Sequence, residues 1–261
     1  MNRIKTVWKK IGHLFYRSLA LISFFALWQF VSVTERVPKA AVPPPTVIVR
    51  AVIDSLRSGT LFSMTWYSLT NIGLGFLLCL LISIPAGFLL GLNYHKLERI
   101  LLPFLRICEK LNPFALFPVF MILFGIGRLE KVMIVLWVAQ WPLLFSTMEG
   151  ARNLDRSIMK SARAMGARKW NLLLKVIVPL ALPYLFTGLK TSAQLAFFMI
   201  IASEMVGANT GLGWMYLNAS LSYNVPMMYG IILYITLLAI AINLAFTKVE
   251  KRFSVWKPSV F

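Results

Sequence analysis

The sequence predicts an all-α, polytopic membrane protein with about six transmembrane helices. Three observations carry that expectation. Hydrophobic residues make up 59% of the 261 and charged ones only 14%, against about 45–50% and about 25% in soluble domains. Mean hydropathy is +0.74. Six apolar runs recur along the chain, each near the ~20 residues that cross a ~30 Å hydrocarbon core.

The expected spans are 18–34, 66–92, 100–124, 132–147, 180–206 and 227–246. The second contains Pro85. The third is interrupted by Arg106, Glu109, Lys110 and Pro113, so it also reads as an interfacial stretch to Asn112 followed by a short span. The charged start and first apolar run could form a signal peptide. No small-residue cleavage site follows promptly, because Thr34-Glu35-Arg36-Val37-Pro38 intervenes, so a retained helix is expected.

The loop cations orient the chain. One set holds Arg3, Lys5, Lys9, Lys10, Arg17, Lys96, Arg99, seven cations of a central loop, and Lys248, Lys251, Arg252 and Lys257. The opposite set holds only Arg36, Lys39, Arg50, Arg57, Arg128 and Lys131. The excess places both termini and the central loop in the cytoplasm. The net charge of +18 is thereby read as orienting the chain in an anionic bilayer, with no nucleic acid as partner. Cys79 and Cys108 lie in or beside apolar runs and read as packing residues. His13 and His95 are the only histidines and neither has metal-ligand or catalytic company, so no metal site and no catalytic residue is expected.

On the outer side, Val42-Pro43-Pro44-Pro45 leads stiffly to Thr46, a candidate cap for a short helix. Ile48, Val49, Val52, Ile53 and Leu56 fall on one face of it, with Arg50, Asp54 and Arg57 opposite. An interfacial helix on the outer leaflet is the plain reading, and a contact for an extracellular partner the sharper one.

The central loop, residues 150–179, carries Arg152, Arg156, Lys160, Arg163, Arg168, Lys169 and Lys175, too many charges for hydrocarbon. It reads as helix, bend and helix. Ile158, Ala162 and Met165 can line one face, and Gly166 permits a positive-φ bend. Trp170, Leu173, Leu174 and Ile177 then recur at helical spacing until Pro179, with Pro183 beyond. An amphipathic loop resting on the inner leaflet explains the charge and Trp170. A docking surface for a soluble partner also explains the small residues Ser161, Ala162, Ala164, Gly166 and Ala167, which permit close approach.

Polar residues inside spans are candidate path lining, because they are costly against lipid. These are Asn71, Gln140, Lys190, Gln194 and Glu204. The alternatives remain open. Asn71, Gln140 and Gln194 can bond neighbouring helices, Lys190 can snorkel, and Glu204 can cap or pair near the outer end. Asn209-Thr210-Gly211-Leu212-Gly213 is expected to be a flexible outer turn, with Gly211 and Gly213 as candidate gate residues.

Lys160-Ser161-Ala162-Arg163-Ala164-Met165-Gly166-Ala167, followed by Val176-Ile177-Val178-Pro179, resembles the EAA loop of ABC importer permeases, with the Gly-to-Pro spacing intact. Lys160 stands where the motif has Glu. Ala115-Leu116-Phe117-Pro118, Phe124-Gly125-Ile126-Gly127, Gly150-Ala151-Arg152-Asn153-Leu154-Asp155, Ala202-Ser203-Glu204-Met205-Val206 and Gly211-Leu212-Gly213 resemble permeases of the nitrate/sulfonate/taurine type.

The resemblance implies the type I ABC importer permease fold over residues 61–253, after an N-terminal part (1–60) and before a cytoplasmic tail (254–261). It implies that Lys160 to Ala167 and Pro179 dock an ATPase. The expected partners are two cytoplasmic ABC ATPase subunits, a second permease copy in a homodimer, an external substrate-binding protein and the bilayer of the cell membrane. The chain has no GxxxxGK[ST] loop, so ATP and Mg are expected on the ATPase, with no cofactor on this chain and no enzymatic role for it. The solute implied is a small organic or oxo-anion. A heterocyclic vitamin precursor is the alternative within the family, and an ion-coupled secondary carrier the alternative outside it.

Overall fold

A computed structural model describes residues 19, 22–34, 42–92, 95–154 and 156–253. The N-terminal cations, Arg36, Lys39, His13, Asp155, Lys257 and the tail 254–261 lie outside them. All regular structure among the described residues is helical. The helices are α1 (Ile22–Val33) and α2 (Pro45–Arg57), α3 (Thr60–Leu92), α4 (His95–Lys110), α5 (Pro113–Phe124), α6 (Arg128–Arg152), α7 (Arg156–Ala164), α8 (Lys169–Leu172), α9 (Val178–Met205), α10 (Leu212–Leu221) and α11 (Val225–Phe253).

Four helical stretches are long and apolar enough to cross a membrane: Thr60–Leu92, Arg128–Arg152, Trp170–Met205 and Val225–Arg252. They match the expected second, fourth, fifth and sixth spans. The expected third span is not one rod. Glu98–Lys110 and Pro113–Phe124 meet at a 94° bend. Pro113 has no N–H and drives Asn112 out of the helical region, to φ −66 and ψ 115. Asn112 then caps α5, its Oδ1 accepting from the Phe114 N–H at 3.0 Å. Of the expected first span, the described helix is Ile22–Val33, about 18 Å long at 1.5 Å per residue.

The chain divides into two compact units. Among the described residues the first comprises 19, 22–34, 42–62 and 216–234. In it Gln29 and Thr46 exchange hydrogen bonds of 3.3 and 3.4 Å, and Trp28 meets Tyr229 edge-on. Thr46 is not the cap of α2. Pro44 holds that position in extended conformation and Pro45 opens the helix, its fixed φ already helical. The expected apolar face of α2 is split. Ile48 is buried, while Val49, Ile53 and Leu56 stay exposed.

The second unit, among the described residues, comprises 63–92, 95–154, 156–215 and 235–253. Its middle is α6. Close approach of α3 is permitted by glycines. A Cβ at Gly75 would lie 2.7 Å from Val135 Cγ1, and one at Gly91 2.7 Å from the Met148 carbonyl oxygen. On its other side α6 packs along α9, where Gly188 faces Ser146 and the Ser192 hydroxyl donates to the Ala139 carbonyl at 2.6 Å. Cys79, Phe117, Ile134, Val135, Leu143, Ala196, Met199 and Ile200 form the core between α3, α5, α6 and α9. Small-residue contact of this kind is how helices associate where lipid supplies no hydrophobic drive.

Candidate functional site

The segment between α6 and α9 is a helix, a tight turn and a second helix. α7 ends in a complete Schellman turn. Gly166 has φ +84, its N–H bonds the Arg163 carbonyl at 3.0 Å, and the Ala167 N–H bonds the Ala162 carbonyl at 3.0 Å. Nothing lies within 4 Å of a Cβ built on Gly166. The glycine is there for its backbone conformation, since an L residue pays roughly 1–2 kcal/mol in the left-handed region.

The faces differ from those read by helical spacing. Of Ile158, Ala162 and Met165, only Ala162 is buried, and Met165 is 82% exposed. Met165 lies beyond the end of α7, inside the turn, so it does not share the helix face. Beyond the turn, Leu172 and Ile177 are buried, while Trp170 and Leu174 are 72% and 61% exposed. Residues Leu173–Ile177 form a π-helical turn, in which the Val178 N–H bonds the Leu173 carbonyl. Five residues per bond put Leu172 and Ile177 on one side. The helix also does not stop at Pro179. It continues into α9, and the π turn makes this possible by relieving the ladder next to a residue that has no N–H.

Ala162, Leu172 and Ile177 join Phe88, Ala151, Ala181 and Leu185 in one apolar cluster. It roots the segment on α3, α6 and α9. Lys160, Ser161, Arg163, Ala164, Arg168, Lys175 and Pro179 remain exposed, and Ala167 is half-buried. No Asp or Glu occurs between Arg156 and Ser203. The result is an anchored ledge that presents cations, Met165 and Trp170.

The polar span residues do not converge on one site. Asn71 is fully buried and its Oδ1 accepts from Arg128 Nε at 2.8 Å. Gln140 and Lys190 are half-buried. Gln194 is exposed and its Nε2 donates to Asn243 Oδ1 on α11 at 3.1 Å. Glu204 is fully buried at the far end of α9. Its carboxylate oxygens lie 2.7 and 2.8 Å from the Ser68 hydroxyl, and Oε2 accepts from the Gly213 N–H at 3.0 Å. Ser68 in turn accepts from the Leu212 N–H at 3.0 Å.

These bonds correct the expected flexible outer turn. A Cβ on Gly211 would run into the Glu204 carboxylate, and one on Gly213 into the Ile201 carbonyl. Both glycines are closely packed, and the start of α10 is pinned to α3 and α9.

Sequence reasoning missed Ser68, Ser203 and Glu130, and misread Lys131 as a loop cation. Lys131 is 1% exposed. Its Nζ lies 3.3 Å from Glu130 and 3.2 Å from the Gly127 carbonyl, and Ser203 donates to Glu130 at 3.2 Å. Glycine at 127, then adjacent opposite charges, then an apolar run mark a helix start, but not the direction in which its charges turn. Among the described residues no cluster of His, Cys, Asp and Glu could hold a metal ion.

A family model described as "Binding-protein-dependent transport system inner membrane component" matches residues 83–255. Among curated proteins, the taurine transport system permease protein TauC of Escherichia coli is 25% identical over 99% of this chain and 96% of its own. A putative aliphatic sulfonates transport permease protein, SsuC of Bacillus subtilis, is 28% identical over 74% and 70%. The bicarbonate transport system permease protein CmpB of Synechococcus elongatus is 34% identical over 61% and 57%. In fold, the chain is similar to a solved structure of the MetNI methionine ABC transporter in inward-facing conformations. The TM-score is 0.64 at 21% identity, over 81% of this chain and 98% of that one.

Proposed function

Since the chain belongs to the family of binding-protein-dependent transport system inner membrane components, we propose that it is the permease subunit that forms the translocation path of an ATP-driven importer of a small anionic solute. The observation that carries this reading is the anchored ledge of α7, Gly166 and α8. It presents cations and Met165 ahead of the Trp170–Met205 stretch and Trp170 at its very start, and it continues without a break into α9.

The ledge docks a cytoplasmic ABC ATPase through Lys160 to Ala167, with Pro179 at the start of the helix that transmits the motion. A second copy of the chain completes the path over residues 61–253, a second ATPase completes the motor, and a binding protein delivers solute from the opposite side. Both termini then lie in the cytoplasm, in line with the excess of loop cations on that side. ATP and Mg act on the ATPase. The names of the taurine, aliphatic-sulfonate and bicarbonate permeases support the anionic class for this chain. Gln140, Lys190 and Gln194, which are not fully buried, remain the candidate polar lining, whereas Asn71 and Glu204 are fully buried and bonded, and Gly211 and Gly213 serve as a closely packed, fixed part of the outer closure.

The test is Gly166→Val in the complex co-expressed with its ATPase. A β-branched side chain opposes the φ of +84. Membrane insertion is expected to be unchanged. The ATPase is expected either to be lost on purification or to hydrolyse ATP without driving uptake. Normal uptake with the ATPase attached would remove the docking role of the ledge.

A further inference from the structure

Arg128 takes no part in the ledge or in the bonded cluster around Glu204. It opens α6, whose amino end has no side-chain cap at Gly127. A cation at a helix N-terminus is opposed by the helix dipole, and the uncapped N–H groups there favour an anion. The guanidinium is nevertheless held in place. Its Nε donates to Oδ1 of the fully buried Asn71 at 2.8 Å, and among the described residues both terminal nitrogens of the fork are left for another acceptor. Among the described residues no carboxylate pairs with it. The Asn71 Nδ2 is itself buried without a partner.

An apolar groove of about 360 Å³ runs from Arg128 between Leu74, Leu77, Leu78, Leu129 and Val132. Leu74, Leu77 and Leu129 are 44%, 53% and 52% exposed along it. Asn71, Leu74 and Leu78 share one face of α3, three and four residues apart. Asn71 also ends the more polar first third of α3, and the continuous apolar run starts at Ile72. The groove therefore has a cationic head at the edge of the hydrocarbon and an apolar length inside it.

We propose that Arg128 and this groove form a binding site for a membrane phospholipid, with the phosphate on the guanidinium fork and α6 N-terminus and one acyl chain along Leu74, Leu77 and Leu78. The polarity gradient selects this occupant. A small solute would match Arg128 but leave the leucine walls uncovered, and an apolar helix of a second copy would cover the walls but leave the guanidinium without a counter-charge. The site does not depend on the transport reading, because lipid occupancy is measured without turnover.

The test is native mass spectrometry of the purified full-length chain with its partners, titrated with phosphatidylglycerol. Wild type is expected to retain bound phospholipid. Arg128→Gln should weaken binding by about tenfold or more, the size of one lost charge-assisted hydrogen bond. Leu77→Trp should do the same by filling the groove while leaving Arg128 in place, and it decides the matter if Arg128→Gln fails to fold. Unchanged phosphatidylglycerol binding in Leu77→Trp overturns the proposal. So does competition of a short alkyl sulfonate for Arg128 with lipid binding intact, which assigns the site to the solute. Full disulfide cross-linking of Leu77→Cys between two copies overturns it in favour of a subunit interface.

Discussion

At one end of the α6–α9 pair, around Gly166, charge is displayed; at the other, around Glu204, every charge but that of Arg128 is enclosed. Lys160, Arg163 and Arg168 are exposed in a stretch, Arg156 to Ser203, that holds no acidic residue, whereas Lys131, Glu130 and Glu204 are at most 1% exposed and bonded. The glycines divide in the same way. Gly166 has open space around it and a positive φ, and Gly213 has an ordinary φ and no space. Buried charges left unpaired would cost several kcal/mol, so the far end must satisfy itself internally. The ledge carries no such demand, and its charges remain free for a partner.

The far end should accordingly dominate stability. Glu204→Leu removes the acceptor of the Ser68 hydroxyl and the Gly213 N–H. Each orphaned group costs about 1–3 kcal/mol. Thermal unfolding of the purified complex should begin well below the wild type. An unchanged midpoint would mean that the carboxylate is not what holds α10. Gly213→Ala should cost about 1–3 kcal/mol by overpacking against the Ile201 carbonyl, again read by the unfolding midpoint.

At the ledge the effects on folding should be small and those on the partner large. Gly166→Ala should lower stability by about 1 kcal/mol, and Gly166→Asn by less, because Asn tolerates the left-handed region. If the two variants unfold alike, the Schellman turn is not the reason for the glycine. Trp170→Ala should change the midpoint by no more than about 0.5 kcal/mol, as for other exposed side chains. Its expected deficit is in retention of the co-expressed ATPase. A Trp170 variant that is unstable but keeps its ATPase would reverse the contrast between the two ends.

What was legible in the sequence was whatever depends on local pattern. Apolar runs and loop cations gave four of the spans, and the positive-φ bend at Gly166 followed from the interruption of a helical pattern by glycine. The 94° break after Lys110 was half-legible, since Pro113 and the nearby charges marked the place but not the angle. Three features were not legible. The π turn changes which of Leu172, Leu173, Leu174 and Ile177 faces inward without any unusual residue to announce it. Lys131 is enclosed against Glu130, which also accepts from Ser203, 73 positions away in the numbering. The pinning of Gly211 and Gly213 depends on Ser68 and Glu204, two residues on different helices. Contacts of that range leave no periodic trace, so a count of loop cations places Lys131 outside when it is enclosed.

The π turn gives the Gly166-to-Pro179 distance a meaning beyond length. A π turn holds one residue more than an α turn, and each residue of a helix advances the azimuth by about 100°. The stretch Leu173–Ile177 therefore sets the angle at which Trp170 and the cations point relative to everything above them on α9. Removing one residue there would leave composition, hydropathy and span length almost untouched and would swing the whole ledge to another bearing. Insertions and deletions between these two landmarks should be far less tolerable than substitutions, because they re-aim the surface without weakening it.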